Sequence, residues 1–285
     1  MRGLFAAACI SVCLAVVSGN AGAASYDDFM RGTALNRAGE PDKAIEAFTA
    51  ALKAGDLAPT YVPTAYFGRA SAYARKGQCA LSEADLDNAL KLRPAYLEAF
   101  VLRASVRDCQ EKYEDARADI DAAIKLTPTT DLYQGRAEFF WRHAKFDSAA
   151  ADYLQAFTLA PTNDYYGVRR DYPLIWYAIS AVRAGTFDTA VFAKNVDKAD
   201  LDGWPEPLLD YFAGKLKSEQ VYAKALKGDD PLPAQQKCEA DFYLGEWRIG
   251  HGDAAGKSLI QQAQNECPHN FIEYFAAGLE LKRLP

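Results

Sequence analysis

The sequence predicts an all-α chain, a solenoid of helix-turn-helix repeats finished by a C-terminal capping helix. Three observations predict it. Small and apolar residues recur at spacings of three and four, as in Ala44, Phe48 and Ala51, which places them on one helix face. Segments ending in proline recur at a near-constant interval: "KLRP" closes at Pro94, "KLTP" at Pro128, 34 residues on, and "TLAP" at Pro161, 33 further. Finally, the same places within each interval are held by alanine, serine or glycine.

Taking the closing proline as position 32, units begin at Pro63, Leu97 and Thr130, and Ala44, Phe48 and Ala51 set the start of a first unit at Ser25. Position 8 is then Gly32, Ala70, Ala104 and Ala137; position 20 is Ala44, Ser82, Ala116 and Ala149; position 27 is Ala51, Ala89, Ala123 and Ala156. Position 24 is Phe48, Leu86, Ile120 and Tyr153, and position 11 is Leu35, Tyr73, Arg107 and Phe140. Two antiparallel helices that cross closely need small residues where their backbones approach, with larger ones filling the space beside them. One such pair cannot bury its apolar face alone, so stacked neighbours bury it jointly. Proline at position 32 stops the second helix.

This pattern resembles the tetratricopeptide repeat (TPR), whose signature is W-x2-L-G-x2-Y…A-x3-F…P. The resemblance implies a TPR-type α-solenoid, a right-handed superhelix. The four regular units span 25–161, degenerate TPR-like pairs 162–236, and a last unit with a capping helix 237–285. "YPLIWYAISAVRAGTFDTAVFA" reads as one degenerate pair, with its turn at Gly185-Thr186-Phe187. "WPEPLLDYFAGKLKSEQVYAKALKG" reads as a shorter pair with prolines at its start, followed by "DDPLPAQQ" as a loop. The last unit opens near Cys238 and ends at Pro268, and Phe271 to Leu284 is a lone terminal helix, as a solenoid cap requires. The segments "WPEPLLDYFAGKL", "CEADFYLGEW" and "FIEYFAAGLELKRL" are similar to the C-terminal repeats of NlpI-like TPR proteins of bacterial envelopes. That resemblance implies an adaptor that brings periplasmic peptidases and cell-wall hydrolases together.

Residues 1–24 read as a secretory signal peptide. Arg2 supplies the positive start, Leu4 to Val17 is a run of 14 residues apolar except for Ser11, and Ala21-Gly22-Ala23 is a small-x-small cleavage site. A membrane span needs about 20 apolar residues. Neither "AAAC" at Cys9 nor "ISVC" at Cys13 makes a convincing lipobox, so the expected product is soluble and exported, periplasmic or secreted. Without the leader 31 basic and 38 acidic residues remain. That balance argues against nucleic acid and anionic lipid as main partners.

Four cysteines remain, an even count that suggests disulfides in an exported chain. The repeat register pairs Cys79, where one second helix starts, with Cys109, where the next first helix ends. It pairs Cys238 with Cys267 at the two ends of one hairpin. No C-x2-C and no nearby histidine suggests zinc. His143, His251 and His269 fall near helix ends or turns. No G-x-S-x-G, H-E-x-x-H or phosphate-binding glycine loop appears, and "DLDG" at 200–203 lacks calcium-loop ligands. The expectation is a non-catalytic scaffold without metal or cofactor.

In TPR proteins positions 2, 5, 9, 12 and 13 of each first helix line the concave face. Here that face would carry Tyr26, Phe29, Asn36 and Arg37, then Phe67 and Arg75, then Asp131, Gln134, Glu138, Trp141 and Arg142, and further on Tyr172, Ile175 and Arg183. Aromatic residues with arginine suit a protein or peptide partner. The lysine and asparagine of a carboxylate clamp are missing, since position 5 is Phe29, Phe67, Val101 and Gln134. Trp141 and Arg142 are expected outside the repeat core. An alternative reading is a glycan-binding surface of Tyr165, Tyr166, Tyr172 and Trp176.

Overall fold

The computed structural model describes residues 21–160, 171–199, 203–227 and 232–285. Among these the chain forms fifteen α-helices and no strand. It divides into two compact units, Met1–Leu126 and Thr127–Pro285. The signal-peptide reading lies almost wholly outside the described residues, as do Tyr165, Tyr166 and most of "DLDG".

The first unit holds three helical hairpins: α1 (Ala21–Arg37) with α2 (Pro41–Ala54), α3 (Val62–Arg75) with α4 (Cys79–Leu92), and α5 (Leu97–Cys109) with α6 (Tyr113–Leu126). The second opens with α7 (Thr130–Arg142) and α8 (Phe146–Leu159). It continues with α9 (Asp171–Ala184), α10 (Thr189–Ala199), α11 (Glu206–Phe212), α12 (Ser218–Ala225), α13 (Leu232–Gly250), α14 (Gly256–Glu266) and α15 (Ile272–Arg283). Two boundaries differ from expectation. Helix α1 begins at Ala21, ahead of Ser25. Helix α13 begins at Leu232, inside the expected loop, because Pro233 sits in the first turn, where a missing N–H costs nothing, and Ala234 to Lys237 are good helix formers.

The small positions do what the repeat requires. All four alanines at position 27, and Ala44, Ser82, Ala116 and Ala149 at position 20, are fully buried. Gly32, Ala70, Ala104 and Ala137 are buried as well. In the first unit the Phe48 ring of α2 lies between two glycines: a Cβ on Gly32 would come within 2.9 Å of it, and one on Gly68 within 2.4 Å. Ser82 loses nothing by being polar, because its hydroxyl donates to Ala70 O at 2.8 Å. In the last hairpin Gly245 and Gly256 play the same part, a Cβ on Gly256 meeting Gly245 O at 2.6 Å. The turn inside each regular hairpin uses one left-handed residue: Gly39, Gly77, Glu111 and Ala144, with φ of 75°, 69°, 61° and 55°.

A charged motif repeats in register with the alanines. Arg69–Asp85, Arg103–Asp119 and Arg136–Asp152 each stand 16 residues apart and join the two helices of a hairpin through forked hydrogen bonds of 2.6–2.9 Å. The carboxylates are almost entirely buried. Arg107, the odd residue at an aromatic position, donates to Asp119 and to Glu83, both at 2.8 Å. Burial works against ionisation of Glu83, but hydrogen bonds from Lys112, Arg107 and Gln110 overcome it and bring its carboxyl from 4.5 down to about 2.

Two outcomes follow. Gly68→Ala should lower stability by about 1–3 kcal/mol through overpacking, and adding Phe48→Leu should recover part of the loss; a denaturant double-mutant cycle measures both. Glu83 has a depressed folded-state pKa, so its contribution is present above pH 4.5 and lost as pH falls toward 2. Glu83→Gln should therefore flatten the fall in melting temperature over that interval.

Candidate functional site

In the first unit the expected concave residues lie along α1 and α3, but not all of them face solvent. Phe29 is buried, its ring 6.2 Å from Phe48 and 5.4 Å from Tyr61. Asn36 donates to Gly68 O at 2.7 Å and is a helix-to-helix tie. What remains open is a strip of Tyr26, Tyr61, half-buried Phe67, and exposed Arg37 and Arg75. The Tyr26 and Tyr61 rings lie 5.1 Å apart and tilted, and Phe67 lies 5.2 Å from Tyr96. Arg75 donates to Asn36 O at 2.9 Å, which ties the end of α3 to α1.

In the second unit the matching face of α7 is occupied by side chains of α8, α9 and α13 and by Arg283 of α15. Trp141 is only 2% exposed and belongs to an aromatic core, with Trp176 5.2 Å away edge-on and Phe242 at 6.3 Å. The expectation that Trp141 stands outside the core is therefore corrected: Phe146, Trp176 and Phe242 surround it, and Arg283 of α15 lies over its ring. Arg142 is exposed, while Gln134 and Glu138 are half-buried, and burial pushes the Glu138 carboxyl up. Trp176 is also buried, against Trp141, Tyr153 and Phe242, while Tyr165 and Tyr166 of the glycan reading lie outside the described residues. Ile175 is fully buried, and Tyr172 is tied by its hydroxyl to Glu239 at 2.7 Å.

Arg183, expected on the same face, instead anchors the covering helix. Its Nη1 donates to Glu246 at 2.7 Å and to Glu280 of α15 at 2.6 Å. Arg283 donates to Glu280 at 3.1 Å and to the α7 carbonyls of Trp141, at 3.0 Å, and Arg142. Arg183 and Arg283 lie over the rings of Phe146 and Trp141 at 4.5 and 4.9 Å. Two turns earlier on the same face of α15, Glu273 accepts from the Tyr243 hydroxyl at 2.6 Å. Sequence reasoning missed this cluster, because its members come from helices far apart in the chain, α7, α9, α13 and α15.

Between α7, α8, α9 and α15 this arrangement leaves a cavity of about 170 Å³, lined by Glu138, Trp141, Arg142, Tyr153, Trp176 and four residues of α15. A second cleft of about 440 Å³ shares Trp176 and Ile272 with it and adds Tyr172, Glu239 and Glu273. Among the described residues no group of three or more His, Cys, Asp or Glu converges on a metal, and no helix is long and apolar enough to cross a membrane.

The cysteines stand as the register requires. Cys79 and Cys109 are disulfide partners in the structure with Cα atoms 6.6 Å apart, and Cys238 and Cys267 with Cα atoms 5.1 Å apart, both inside the usual range.

Full burial, with Glu280 alongside, holds the Glu246 carboxyl above its ordinary range, against the pull of Arg183 and Arg283. A raised folded-state pKa means stability present at low pH and lost as pH rises from the ordinary carboxyl value into the neutral range. Glu246→Gln should remove that pH dependence at little cost, whereas Arg183→Met, which strands two buried carboxylates, should cost about 3–5 kcal/mol. Thermal melts across pH 4–8, on the order of the interval between the carboxyl's ordinary and raised values, compare the two.

Comparison with known proteins bears on the same residues. The tetratricopeptide repeat family model matches residues 29–96, 67–129 and 101–164. RNA polymerase II-associated protein 3 of Mus musculus is 35% identical over 98 residues, which is 34% of this chain and only 14% of that protein. A solved structure of the first TPR of Spaghetti (RPAP3) bound to HSP90 peptide SRMEEVD is 30% identical, covers 38% of this chain and 82% of its own, and has a TM-score of 0.34. A tetratricopeptide repeat protein from Parabacteroides merdae has the same fold across 90% of this chain and 99% of its own, at 13% identity and a TM-score of 0.54. The helix hairpins, the buried small positions and the family match agree: residues 29–164 of this chain are tetratricopeptide repeats, set in an all-α solenoid fold.

Proposed function

We propose that the chain is an exported, non-catalytic adaptor that holds protein or extended-peptide partners in the cell envelope. The observation that carries this is the accessible set on the first unit, where Tyr26, Tyr61 and Phe67 are open or half-open and Arg37 and Arg75 are exposed at the C-terminal ends of α1 and α3. Aromatic and arginine side chains together are the composition of energetically important interface positions. Phe29, Phe67 and Val101 take the places where a carboxylate clamp needs lysine, so recognition rests on apolar contact and on arginine rather than on a chain end. Export is supported by the charged, apolar and small-residue order of residues 1–24 and by two cysteine pairs at bonding separation. Envelope peptidases or cell-wall hydrolases are the partners that the NlpI-like C-terminal segments suggest.

Two measurements test the reading. A non-reducing peptide map of protein recovered from the envelope should contain Cys79 linked to Cys109 and Cys238 linked to Cys267, in a chain that begins near Ser25. Free thiols at all four positions and an intact leader would defeat the exported assignment. Affinity capture should lose its partners, with binding weakened by about 2 kcal/mol or more, in a variant carrying Arg37→Glu, Phe67→Ala and Arg75→Glu. Retention of every partner by a folded triple variant would remove the first-unit strip from the function.

A further inference from the structure

The two disulfides differ in what can reach them. Cys238 and Cys267 are 0% and 4% exposed, and Cys238 stands inside α13. Cys79 is buried as well, but its partner Cys109 is exposed. Thiol–disulfide exchange depends on access and on which sulfur is attacked, so the asymmetry selects Cys109. The departing sulfur is placed to match. Helix α4 begins at Cys79, no side chain caps that end, and its first turn holds no acidic residue. The positive end of a helix dipole stabilises an anion, and a thiol there passes more readily to thiolate. Cys109 is the last residue of α5, at the negative end, where a thiolate is disfavoured. A thiolate stabilised in this way leaves faster, so both effects favour attack on Cys109 and loss of Cys79.

The junction does not depend on the bond. Glu83, one turn into α4, accepts from Arg107, Gln110 and Lys112 at 2.8, 2.8 and 2.6 Å. These hydrogen bonds tie the start of α4 to the end of α5 and the turn beyond it, and opening the disulfide leaves them in place. The same cations offset the Glu83 charge that would otherwise oppose a Cys79 thiolate. The location also faces outward. Cys109 closes α5 as Arg37 closes α1 and Arg75 closes α3, and all three residues are exposed. A partner lying along these helix ends brings its own side chains to Cys109.

We propose that Cys79–Cys109 is a thiol-exchange site, at which the thiolate of a partner's cysteine attacks Cys109 Sγ and expels Cys79. The incoming thiol gives its proton to solvent and its sulfur bonds to Cys109 Sγ. The Cys79–Cys109 bond breaks, and its electron pair leaves on Cys79 Sγ. One thiolate and one disulfide become another of each, with no net oxidation. Return attack by Cys79 on the adduct restores the bond and releases the partner. The chain then holds a partner covalently and reversibly, which goes beyond the adaptor reading and rests on it for the source of the thiol.

The test uses the oxidised full chain at about pH 8, near the ordinary thiol value. The probes are limiting mercaptoethanol and an acidic peptide carrying one cysteine. Liberated thiols are trapped with N-ethylmaleimide, and peptides are mapped without reduction. The probe should be found on Cys109 and the maleimide on Cys79, with helical circular dichroism unchanged. This bond should open at least about ten-fold faster than Cys238–Cys267. Leu81, 51% exposed in the first turn of α4, tests the leaving group. Leu81→Glu should slow exchange by about two-fold, and Leu81→Lys should not slow it. A probe on Cys79, equal opening of both disulfides, or indifference to Leu81→Glu would each overturn the assignment. Arg37→Glu with Arg75→Glu separates the sources of thiol. It should slow the acidic peptide and leave neutral mercaptoethanol unchanged; an unchanged peptide rate overturns the partner-borne cysteine and leaves exchange with free thiols. Failure of the adaptor reading is seen separately, in the affinity capture.

Discussion

The close crossing of two helices within each hairpin is the constraint on which the rest depends. Backbones that approach this nearly leave room for a methyl group or nothing. The repeat therefore spends its most buried positions on Ala44, Ala51, Ala89, Ala116 and Ala123 rather than on leucine. Alanine brings little apolar area, and burial stabilises roughly in proportion to that area. The bulk must come from beside the crossing, which is why Phe48 lies against Gly32 and Gly68 and why Tyr153 is fully buried. A hairpin built this way has no core of its own and is completed by its neighbour.

Thin apolar cores leave space for charge in register. The Arg–Asp forks at Arg69, Arg103 and Arg136 cross each hairpin beside the alanines, with the carboxylate almost entirely enclosed. Such pairs add little net stability over apolar replacements, because desolvation offsets the attraction. Their value is directional: a fork accepts one geometry, so a second helix that slips by a turn loses both hydrogen bonds at once. Glu83 extends this order between hairpins by gathering Arg107, Gln110 and Lys112 around one carboxylate. The first unit is thus registered by charge as much as by apolar contact.

The second unit solves a different problem, since its terminal helix turns back onto the face that α7 would otherwise present. Helix α15 is seated by polar ties at several points, through Arg183, Arg283 and Tyr243. Its apolar fit is looser. It leaves a cavity beneath Phe275 and Leu279 and leaves Glu246 Oε1, Gln264 Oε1, Trp141 Nε1 and Tyr153 Oη without partners. The open aromatic and arginine strip of the first unit is suited to a broader contact.

The sequence by itself determined the repeat. Period, closing prolines and small positions are local properties of a helix hairpin, and each reads directly from spacing; so do the cysteine partners, once the register is known. The Arg–Asp forks recur in register too, arginine at position 7 and aspartate at position 23 of three units, but they were not read from the sequence, because a spacing of sixteen announces a bond only once the two helices are known to pair. The fate of individual concave residues was not legible either. Phe29 and Trp141 occupy groove positions in the repeat, yet one is roofed by Tyr61 and the other by Trp176, Phe242 and Arg283. Whether a groove position faces solvent depends on what distant chain segments cover it. The segment that covers Trp141 ends at Arg283, 142 residues away, held by a hydrogen bond to a backbone carbonyl. Any residue offers such an acceptor, so no spacing in the sequence announces it, and only the tertiary structure decided that this face is closed.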